Sequence, residues 1–310
     1  MHTYRNGNYF VLIDSHKGTK IRMTMDNTFR PAFAESADVT LTYKCDGGCP
    51  FCYANCTENG KHADLNCDHI NTFIKSLHPY TELALNGNDL SIPGLDNFLQ
   101  KLKEKKVIAN LTVNQKHFIK HKERLQHLMQ RNLISGLGVS ATDINYTLFD
   151  TIDWFNEFGL KDRIIIHVVA GIIAPYQLDA MADRTLTILI LGYKTKGRGK
   201  EFHNPEVDVR IKQLEYLIPT MFEQKWFNLI SFDNLALIQL DIENKVPKSC
   251  WQTNYMGDDG TFTFFIDLVN ETYAKNSLTE ETIPITDWNI DSMFSVIRNS
   301  ENKEERNEIS

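Results

Sequence analysis

Short apolar runs alternate with amphipathic stretches between residues 38 and 191 of the chain. Runs rich in Val, Ile and Leu predict strands at 38–43, 81–85, 107–113, 134–140, 163–170 and 185–191. Stretches with apolar residues three or four positions apart predict helices between them, at 68–77, 94–105, 118–131, 146–158 and 176–182. Runs such as 163–169 contain almost no polar residue, which is typical of strands covered on both faces by helices. The order predicts an α/β fold with a parallel sheet, and a partial (β/α)6 TIM-like barrel fits it.

The segments outside this block predict smaller additions. Alternation at 9–13 and 20–24 predicts a β-hairpin with its turn at 15–18, which would cover one end of the sheet. Beyond residue 200, the pattern predicts further elements: helices at 207–222 and 235–242, a strand at 229–232, and a hairpin of strands 261–269 and 271–274. We therefore divide the chain into four parts: an N-terminal β-hairpin extension (1–36), a barrel core (37–200), a C-terminal α+β extension that closes the barrel (201–299) and a polar tail predicted to be disordered (300–310).

The cysteine loop, residues 45–52, is the strongest chemical signal in the chain. It directly follows the first core strand and reads Cys45-Asp46-Gly47-Gly48-Cys49-Pro50-Phe51-Cys52. Closely spaced thiolates can bind a soft metal centre, and they favour iron–sulfur clusters or zinc. A structural zinc site closes with four protein ligands, so Cys56 or His62 would have to complete it. Three cysteines alone would leave one coordination position open for chemistry.

Composition and charge narrow the class of protein. A net charge of −7 argues against a general nucleic-acid coat, although a local basic patch could still bind phosphate. No apolar run reaches the roughly 18 residues of a membrane span, and we see no apolar signal region. Chain length and the lack of a signal region also disfavour a disulfide framework for the six cysteines. We therefore expect a cytoplasmic protein with no membrane partner.

The C-x3-C-x2-C spacing, with Phe51 before the third cysteine, resembles the radical S-adenosylmethionine (radical SAM) superfamily. The resemblance implies that Cys45, Cys49 and Cys52 hold a [4Fe-4S] cluster whose fourth iron binds the amino and carboxylate groups of SAM. It also implies reductive cleavage of SAM to a 5′-deoxyadenosyl radical that abstracts hydrogen from a substrate, with a reductant such as flavodoxin or ferredoxin. Other segments resemble an uncharacterised branch of phage and bacterial proteins: 52–65, 113–117, 194–199 and 256–260.

The same resemblance implies contacts to SAM at several strand ends. Where the family carries a Gly-Gly-Glu-Pro-like turn that holds the SAM amine, this chain reads Asn86-Gly87-Asn88-Asp89-Leu90. We expect Asn86, Gly87 and Asp89 to hold the amine in an altered manner, although an ordinary βα turn is the alternative. Ser140 would contact the ribose or carboxylate, unless it caps the next helix. Gly171 would let the backbone approach the adenine.

Further polar residues follow other strands. Residues 191–200 are the most basic stretch of the chain, and we expect Lys194 and Arg198 to bind an anion unless this is a solvated loop. Residues 114–117 (Asn-Gln-Lys-His) suit either a substrate contact or a helix entry. His167 lies within an apolar run and is more typical of a core histidine than of a functional one.

The remaining cysteines have open roles. Cys56, Cys67 and Cys250 could together ligate an auxiliary cluster, as in some peptide-modifying radical SAM enzymes. Cys250 alone could donate a hydrogen atom, as in some radical epimerases. We favour the plainer interpretation that all three are small hydrophobic residues.

The substrate is not determined by these patterns. One hypothesis is a peptide or protein, docked along the C-terminal hairpin. A second is a nucleotide or nucleic acid held by Lys194, Lys196 and Arg198. A third is that the chain is a non-catalytic zinc-binding interaction module. The oligomeric state and the fate of SAM, consumed or regenerated, are likewise not determined.

Overall fold

The computed structural model describes residues 1–14, 19–26 and 28–308, with side-chain surroundings as far as residue 300. Its N-terminal part is an antiparallel sheet of β1 (His2–Asn6), β2 (Tyr9–Ile13) and β3 (Lys20–Thr24), in that order. Strands β2 and β3 confirm the predicted hairpin, whereas β1 was not predicted. The predicted turn at 15–18 lies outside the described residues.

The main sheet contains ten strands in the described part of the chain. The strands are β4 (Ser36–Thr40), β5 (Glu82–Asn88), β6 (Ile108–Asn114), β7 (Gly136–Ser140), β8 (Ile164–Val169), β9 (Thr187–Leu191), β10 (Leu229–Phe232), β11 (Thr263–Asp267), β12 (Thr272–Ala274) and β13 (Ile283–Pro284). Their order across the sheet is β10-β9-β8-β7-β6-β5-β4-β11-β12-β13. All pairs from β10 to β11 are parallel, and β12 and β13 add antiparallel strands at one edge.

Helices connect these strands. They are α1 (Asp68–Ser76), α2 (Leu95–Glu104), α3 (Gln115–Lys120), α4 (Lys122–Gln130), α5 (Tyr146–Asn156), α6 (Pro175–Asp179), α7 (Arg198–Phe202), α8 (Pro205–Glu223), α9 (Asn234–Gln239), α10 (Lys248–Asn254) and α11 (Ile290–Glu308). The helix predicted at 118–131 is in fact two helices, α3 and α4, that meet at His121. None of the helices in the described residues combines the length and the apolar character that a membrane span requires.

The parallel sheet is larger than the predicted set of six strands. β10 pairs in parallel with β9, so the 229–232 strand continues the series of βα units. β11 pairs in parallel with β4 and in antiparallel fashion with β12, so the predicted C-terminal hairpin is confirmed and also extends the main sheet. Strand pairing sets the order of the strands but not the curvature of the sheet, so the partial barrel stays a prediction.

One face of the main sheet is covered by helices and the other is partly accessible. Along β5, β6, β8 and β9, buried residues alternate with half-buried or exposed ones. The buried positions join a core that includes Phe73, Phe98 and Phe155 from the helices. The prediction that the 163–169 run is covered on both faces is therefore wrong. Ile165 and Val169 are apolar but only half-buried, and they conceal the alternation in the sequence.

We call the accessible side the open face of the sheet; it carries Asp38, Thr112 and His167. The N-terminal sheet contacts the main sheet where the parallel strands begin. The Tyr9 hydroxyl donates to Glu35 at 2.5 Å, and Arg22 pairs with the same carboxylate at 2.9 Å. Lys20 pairs with Glu82 in β5 at 2.9 Å. These contacts leave the opposite ends of the strands, where the cysteine loop begins, free of the N-terminal sheet.

The proposed division of the chain into four parts stays a prediction. Helix α11 extends to Glu308, and the tail predicted at 300–310 falls almost entirely on residues whose side chains or backbone lie outside the described part.

Candidate active site around the cysteine loop

The cysteine loop follows β4, at the end of the sheet where parallel strands place their carboxyl termini. Two isolated bridges organise the chain around it, one between Thr42 and His62 and one between Lys44 and Thr57. Within the loop, the backbone N–H of Cys52 donates to the carbonyl of Cys49 at 3.3 Å. Gly48 has a φ of +65°, a conformation that favours glycine and that lets the chain turn between the first two cysteines.

The three loop thiols are half-buried and lie among hydrogen-bond donors. The Gly47 N–H donates to Cys45 Sγ at 3.3 Å, and the Asn114 amide donates to Cys49 Sγ at 3.5 Å. A side chain at Gly47 would place its Cβ 2.9 Å from Asn114 Nδ2 and 3.2 Å from Cys45 Sγ. Glycine is therefore needed for the loop to pack this closely against β6.

Burial and hydrogen bonding shift the pKa values of these thiols in different directions. Burial raises the pKa of Cys45 and of Cys49. A hydrogen bond from Cys56 lowers the pKa of Cys52 to about 6, and the same bond raises the pKa of Cys56. Cys56 is buried and also accepts a weak contact from the Asn88 amide at 3.6 Å. Cys52 is thus the loop thiol most readily deprotonated by its surroundings, as a metal ligand must be.

The three loop thiols do not form a ready-made site for a single metal ion. Among the described residues, no three Cys, His, Asp or Glu side chains converge on a point that one metal ion could occupy. A four-iron cluster does not need such a point, because each thiolate binds a different iron. His62, considered as a fourth zinc ligand, has Nδ1 2.8 Å from the Thr42 hydroxyl and Nε2 3.5 Å from that of Ser91.

The residues that follow β6 hold the loop on one side. Lys116 pairs with the Asp46 carboxylate at 3.0 Å, and His117 contacts the other oxygen of that carboxylate. His117 is buried, and its Nδ1 has no hydrogen-bond partner among the described residues. Residues 114–117 therefore do enter a helix, α3, and the side chains of Asn114, Lys116 and His117 are directed at the cysteine loop, whereas Gln115 is hydrogen-bonded to residues 142 and 143.

Arg198 holds the loop on the other side. Its guanidinium donates to the carbonyl of Cys49 at 3.1 Å and to that of Cys56 at 3.0 Å. Its backbone N–H donates to the carbonyl of Cys52 at 3.1 Å and to Asn55 Oδ1 at 2.8 Å. The sequence identified Arg198 as an anion ligand and missed this role, because nothing in the local pattern tells a cation that binds carbonyls from one that binds phosphate.

The turn after β5 is used partly to complete the sheet. The Asn86 side chain accepts from Leu41 N at 2.6 Å and donates to the Thr42 carbonyl at 2.7 Å. Asn86 therefore holds the end of β4. Both polar atoms of its side chain, which we expected to contact SAM, already have backbone partners. Gly87 is buried, and a Cβ there would lie 2.9 Å from Leu111. Asp89 accepts from the Ser91 hydroxyl and N–H through Oδ1, so Oδ2 makes no hydrogen bond within the described residues.

Ser140 and Gly171, the other predicted SAM contacts, differ in whether the protein itself already occupies their contact positions. Ser140 pairs with Asn114 across the sheet, and its half-buried hydroxyl makes no hydrogen bond in the described part of the chain. Gly171 has a φ of +81°, and a Cβ there would lie 2.7 Å from Val207 in α8. The close approach at Gly171 is therefore made by a helix of this chain.

His167 lies on the open face over Gly138, where a Cβ would be 2.6 Å from its ring. Burial lowers the pKa of His167 to about 4, so the ring is neutral at pH 7. The expectation of a core histidine is thus only partly met. The side chain is half-buried and lies on the accessible side of the sheet.

The two lysines of the basic stretch contact the C-terminal segment. Lys194 donates to the Ser277 hydroxyl at 3.0 Å and lies 4.3 Å over the Tyr53 ring. Lys196 donates to the carbonyl of Ser277 at 2.9 Å. All three cations predicted to bind an anion therefore have protein partners: Lys194, Lys196 and Arg198. Anion binding by this stretch stays a prediction.

The remaining cysteines are not brought together. Cys67 precedes α1 and packs against the core, whereas Cys250 is exposed on α10 and accepts from the Asn254 amide at 3.5 Å. Within the described residues, neither forms a metal group with Cys56.

Comparison with known proteins adds to this geometry. No protein-family profile and no curated protein sequence matches the chain. Among solved structures, SuiB from Streptococcus suis bound to S-adenosylmethionine is similar, with a TM-score of 0.56 and 15% identity over 87% of this chain and 66% of that one. SuiB bound to its precursor peptide SuiA has a TM-score of 0.58 and 15% identity, over 87% of this chain and 67% of that one.

A second protein has a similar structure. It is native anSMEcpe with bound AdoMet, with a TM-score of 0.50 and 13% identity over 86% of this chain and 82% of that one. This chain spans about two thirds of the length of the SuiB chains. These neighbours are radical SAM enzymes, in agreement with the resemblance of the cysteine loop. The chain therefore has the fold of radical SAM enzymes.

Proposed function

We propose that this protein is a radical SAM enzyme whose cluster is held by Cys45, Cys49 and Cys52. The observation that carries the proposal is the cysteine loop itself, in which three half-buried thiols follow β4 and are surrounded by hydrogen-bond donors. When bound, a [4Fe-4S] cluster supplies the electron that cleaves SAM to methionine and a 5′-deoxyadenosyl radical, which abstracts hydrogen from the substrate.

The residues around the loop have distinct tasks in this proposal. Arg198 and the Lys116–Asp46 pair hold the loop in place, so that the thiolates are positioned before any cofactor binds. Ser140 and Asp89 are the proposed SAM contacts, since each has an oxygen without a hydrogen bond within the described residues. Gly171 and Lys194 are retained as weaker candidates.

The reacting groups must also be kept from water and from each other until substrate is bound. The open face of the sheet presents neutral polar groups to the proposed site, such as Thr112 and the uncharged ring of His167. A partial barrel would enclose this face. A cytoplasmic location and a flavodoxin or ferredoxin reductant complete the proposal.

The substrate remains to be chosen between two classes. SuiB binds a precursor peptide, which supports a peptide or protein substrate for this chain. A nucleotide would need free cations, and Lys194, Lys196 and Arg198 are each hydrogen-bonded to protein atoms. We therefore favour a peptide.

The decisive test is SAM cleavage in the absence of oxygen. We expect about four irons per chain after reconstitution and 5′-deoxyadenosine after reduction with dithionite. Cys45→Ala, Cys49→Ala and Cys52→Ala should each lose both properties, because each removes a proposed ligand. Cys250→Ala is the matched control, since that thiol is exposed on α10.

The same experiment addresses the alternative of a non-catalytic zinc-binding module. One zinc per chain and no iron would support that alternative, particularly if Cys56→Ala released the metal. An intact cluster without 5′-deoxyadenosine from the wild type would defeat the proposed mechanism.

A further inference from the structure

A cavity of about 470 Å³ lies between the segment that follows the cysteine loop and the C-terminal strands. Its lining includes Tyr53 and Asn55, from the three residues after Cys52, and Thr40 at the end of β4. Phe265, Thr272 and Thr282 line it from the C-terminal side. This volume lies within the usual range for small-ligand sites, about 300–1,000 Å³.

The two charged side chains that line the cavity, Lys196 and Asp267, are hydrogen-bonded to other groups of the protein. Lys196 donates to the carbonyls of Ser277 at 2.9 Å and Thr279 at 3.4 Å. Asp267 is buried and accepts from the Tyr43 hydroxyl at 2.6 Å, from the Asn270 amide at 2.7 Å and from two backbone N–H groups. A charged ligand in the cavity would have to compete with these internal hydrogen bonds, because the carboxylate of Asp267 already accepts on both oxygens and Lys196 already donates to two carbonyls.

The uncommitted polar groups of the cavity are neutral. The hydroxyls of Thr40, Thr272 and Thr282 make no hydrogen bond within the described residues. The side-chain oxygen of Asn55 accepts from the backbone N–H of Arg198. The side-chain NH2 group of Asn55 makes no hydrogen bond within the described residues. Aromatic rings and free hydroxyls together favour an occupant that carries both apolar groups and neutral amides or hydroxyls.

The cavity also adjoins the edge of the main sheet. Thr282 directly precedes β13, which is the last strand in the order and pairs only with β12 among the described residues. This edge is short, and Pro284 has a carbonyl but no N–H, so the edge can supply at most a carbonyl acceptor to the main chain of an extended peptide whose side chain enters the cavity.

Resting on the proposed radical SAM function, we propose that this cavity is the substrate site and that it takes an uncharged side chain of an extended peptide. Tyr43 and residues 53–55, which flank the cysteine loop in sequence, form one wall of the cavity, so a bound residue would lie next to the segment that carries the proposed cluster ligands. The neighbouring residues of the peptide would run along β13.

Binding to the reconstituted full chain tests this inference. The probe is a fluorescent pool of short peptides made only of Ser, Thr, Asn, Val and Phe, compared with fluorescent AMP. We expect saturable binding of the peptides to the wild type. Thr272→Trp and Thr282→Trp should each weaken it about tenfold or more, because an indole would occupy the cavity.

Thr253→Trp, on α10, is the matched control and should bind the peptides like the wild type. Equal peptide binding by the wild type and both cavity variants would overturn the inference. Salt-sensitive binding of AMP with none of the peptides would overturn it in favour of a nucleotide. The unfolding temperatures of the two cavity variants verify that they fold. Because Thr282 is exposed, Thr282→Trp should perturb the fold less than Thr272→Trp.

The two proposals fail in distinguishable ways. Formation of 5′-deoxyadenosine by the wild type, measured without any peptide, tests the radical SAM function alone. If SAM is cleaved but Thr272→Trp and Thr282→Trp bind the peptides as the wild type does, only the substrate inference fails.

Discussion

Replacing Arg198 should weaken the hold of the protein on its cluster without unfolding the chain. The guanidinium links two points of the cysteine loop, the carbonyls of Cys49 and Cys56, at 3.1 and 3.0 Å. Arg198→Met removes both hydrogen bonds while keeping most of the apolar stem. Arg198→Lys keeps the charge, but one ammonium cannot reproduce the fork that spans both carbonyls.

The size of the effect follows from these two bonds. A hydrogen bond that involves a charged group contributes about 1.5–3 kcal/mol. Arg198 is half-buried, so water would partly replace it, and we use the lower end of that range. Loss of both bonds then costs about 3 kcal/mol of loop preorganisation, which corresponds to roughly a hundredfold weaker cluster retention. Arg198→Lys, which loses about one bond, should show roughly a tenfold effect.

The assay is iron and sulfide content after anaerobic reconstitution, followed by the rate of iron loss to a chelator. Lys200→Met is the matched control, because Lys200 is an exposed cation on the same helix, α7. Thermal unfolding before reconstitution separates a loop effect from a global one. If Arg198→Met retains iron as well as the control does, the guanidinium does not position the loop and the reasoning is wrong.

Two further predictions concern the open face of the sheet. Gly138→Ala would place a Cβ 2.6 Å from the His167 ring and 2.7 Å from Thr112 Oγ1, so it should destabilise the chain by about 1–3 kcal/mol in thermal unfolding. Adding His167→Ala should restore part of that loss, and strictly additive effects would contradict the proposed clash. Asp38 is exposed on the open face, but the many protein atoms around its carboxyl reduce its solvation and, with nearby acidic groups, raise its pKa to about 6 despite an opposing effect of Lys194. The folded chain then binds a proton that the unfolded chain has already released, so stability should fall as pH rises from about 4 to about 6. Asp38→Asn should flatten the unfolding temperature over that window, and an unchanged slope would refute the shift.

The order of the strands was largely predictable because each element is a local pattern. The apolar runs that became β4 to β9 and the helical spacing of α8 depend on residues close together in the chain. The accessible side of the sheet was not predictable in the same way. Ile165 is as apolar as its buried neighbours, so the sequence alone does not reveal that it is only half-buried.

The candidate SAM contacts illustrate the same limit. Asn86 has the residue type and position expected of a ligand, yet its amide is used by the backbone at the end of β4, 44 and 45 positions away in sequence. Ser140 has an equally ordinary sequence context, and its hydroxyl makes no hydrogen bond in the described part of the chain. Residue type determines what a side chain can bind, whereas its neighbours in space determine whether it is free to do so.

The sequence by itself determined that three thiols lie in one short segment after β4, because their spacing is fixed by covalent connectivity. Only the tertiary structure determined how that loop is held. The hydrogen bonds from Arg198 join residues 149 and 142 positions apart, and no local pattern encodes contacts at that separation. It also determined that the basic stretch after β9 serves the protein's own carbonyls and hydroxyls, since a cation binds whichever acceptor the fold brings within reach.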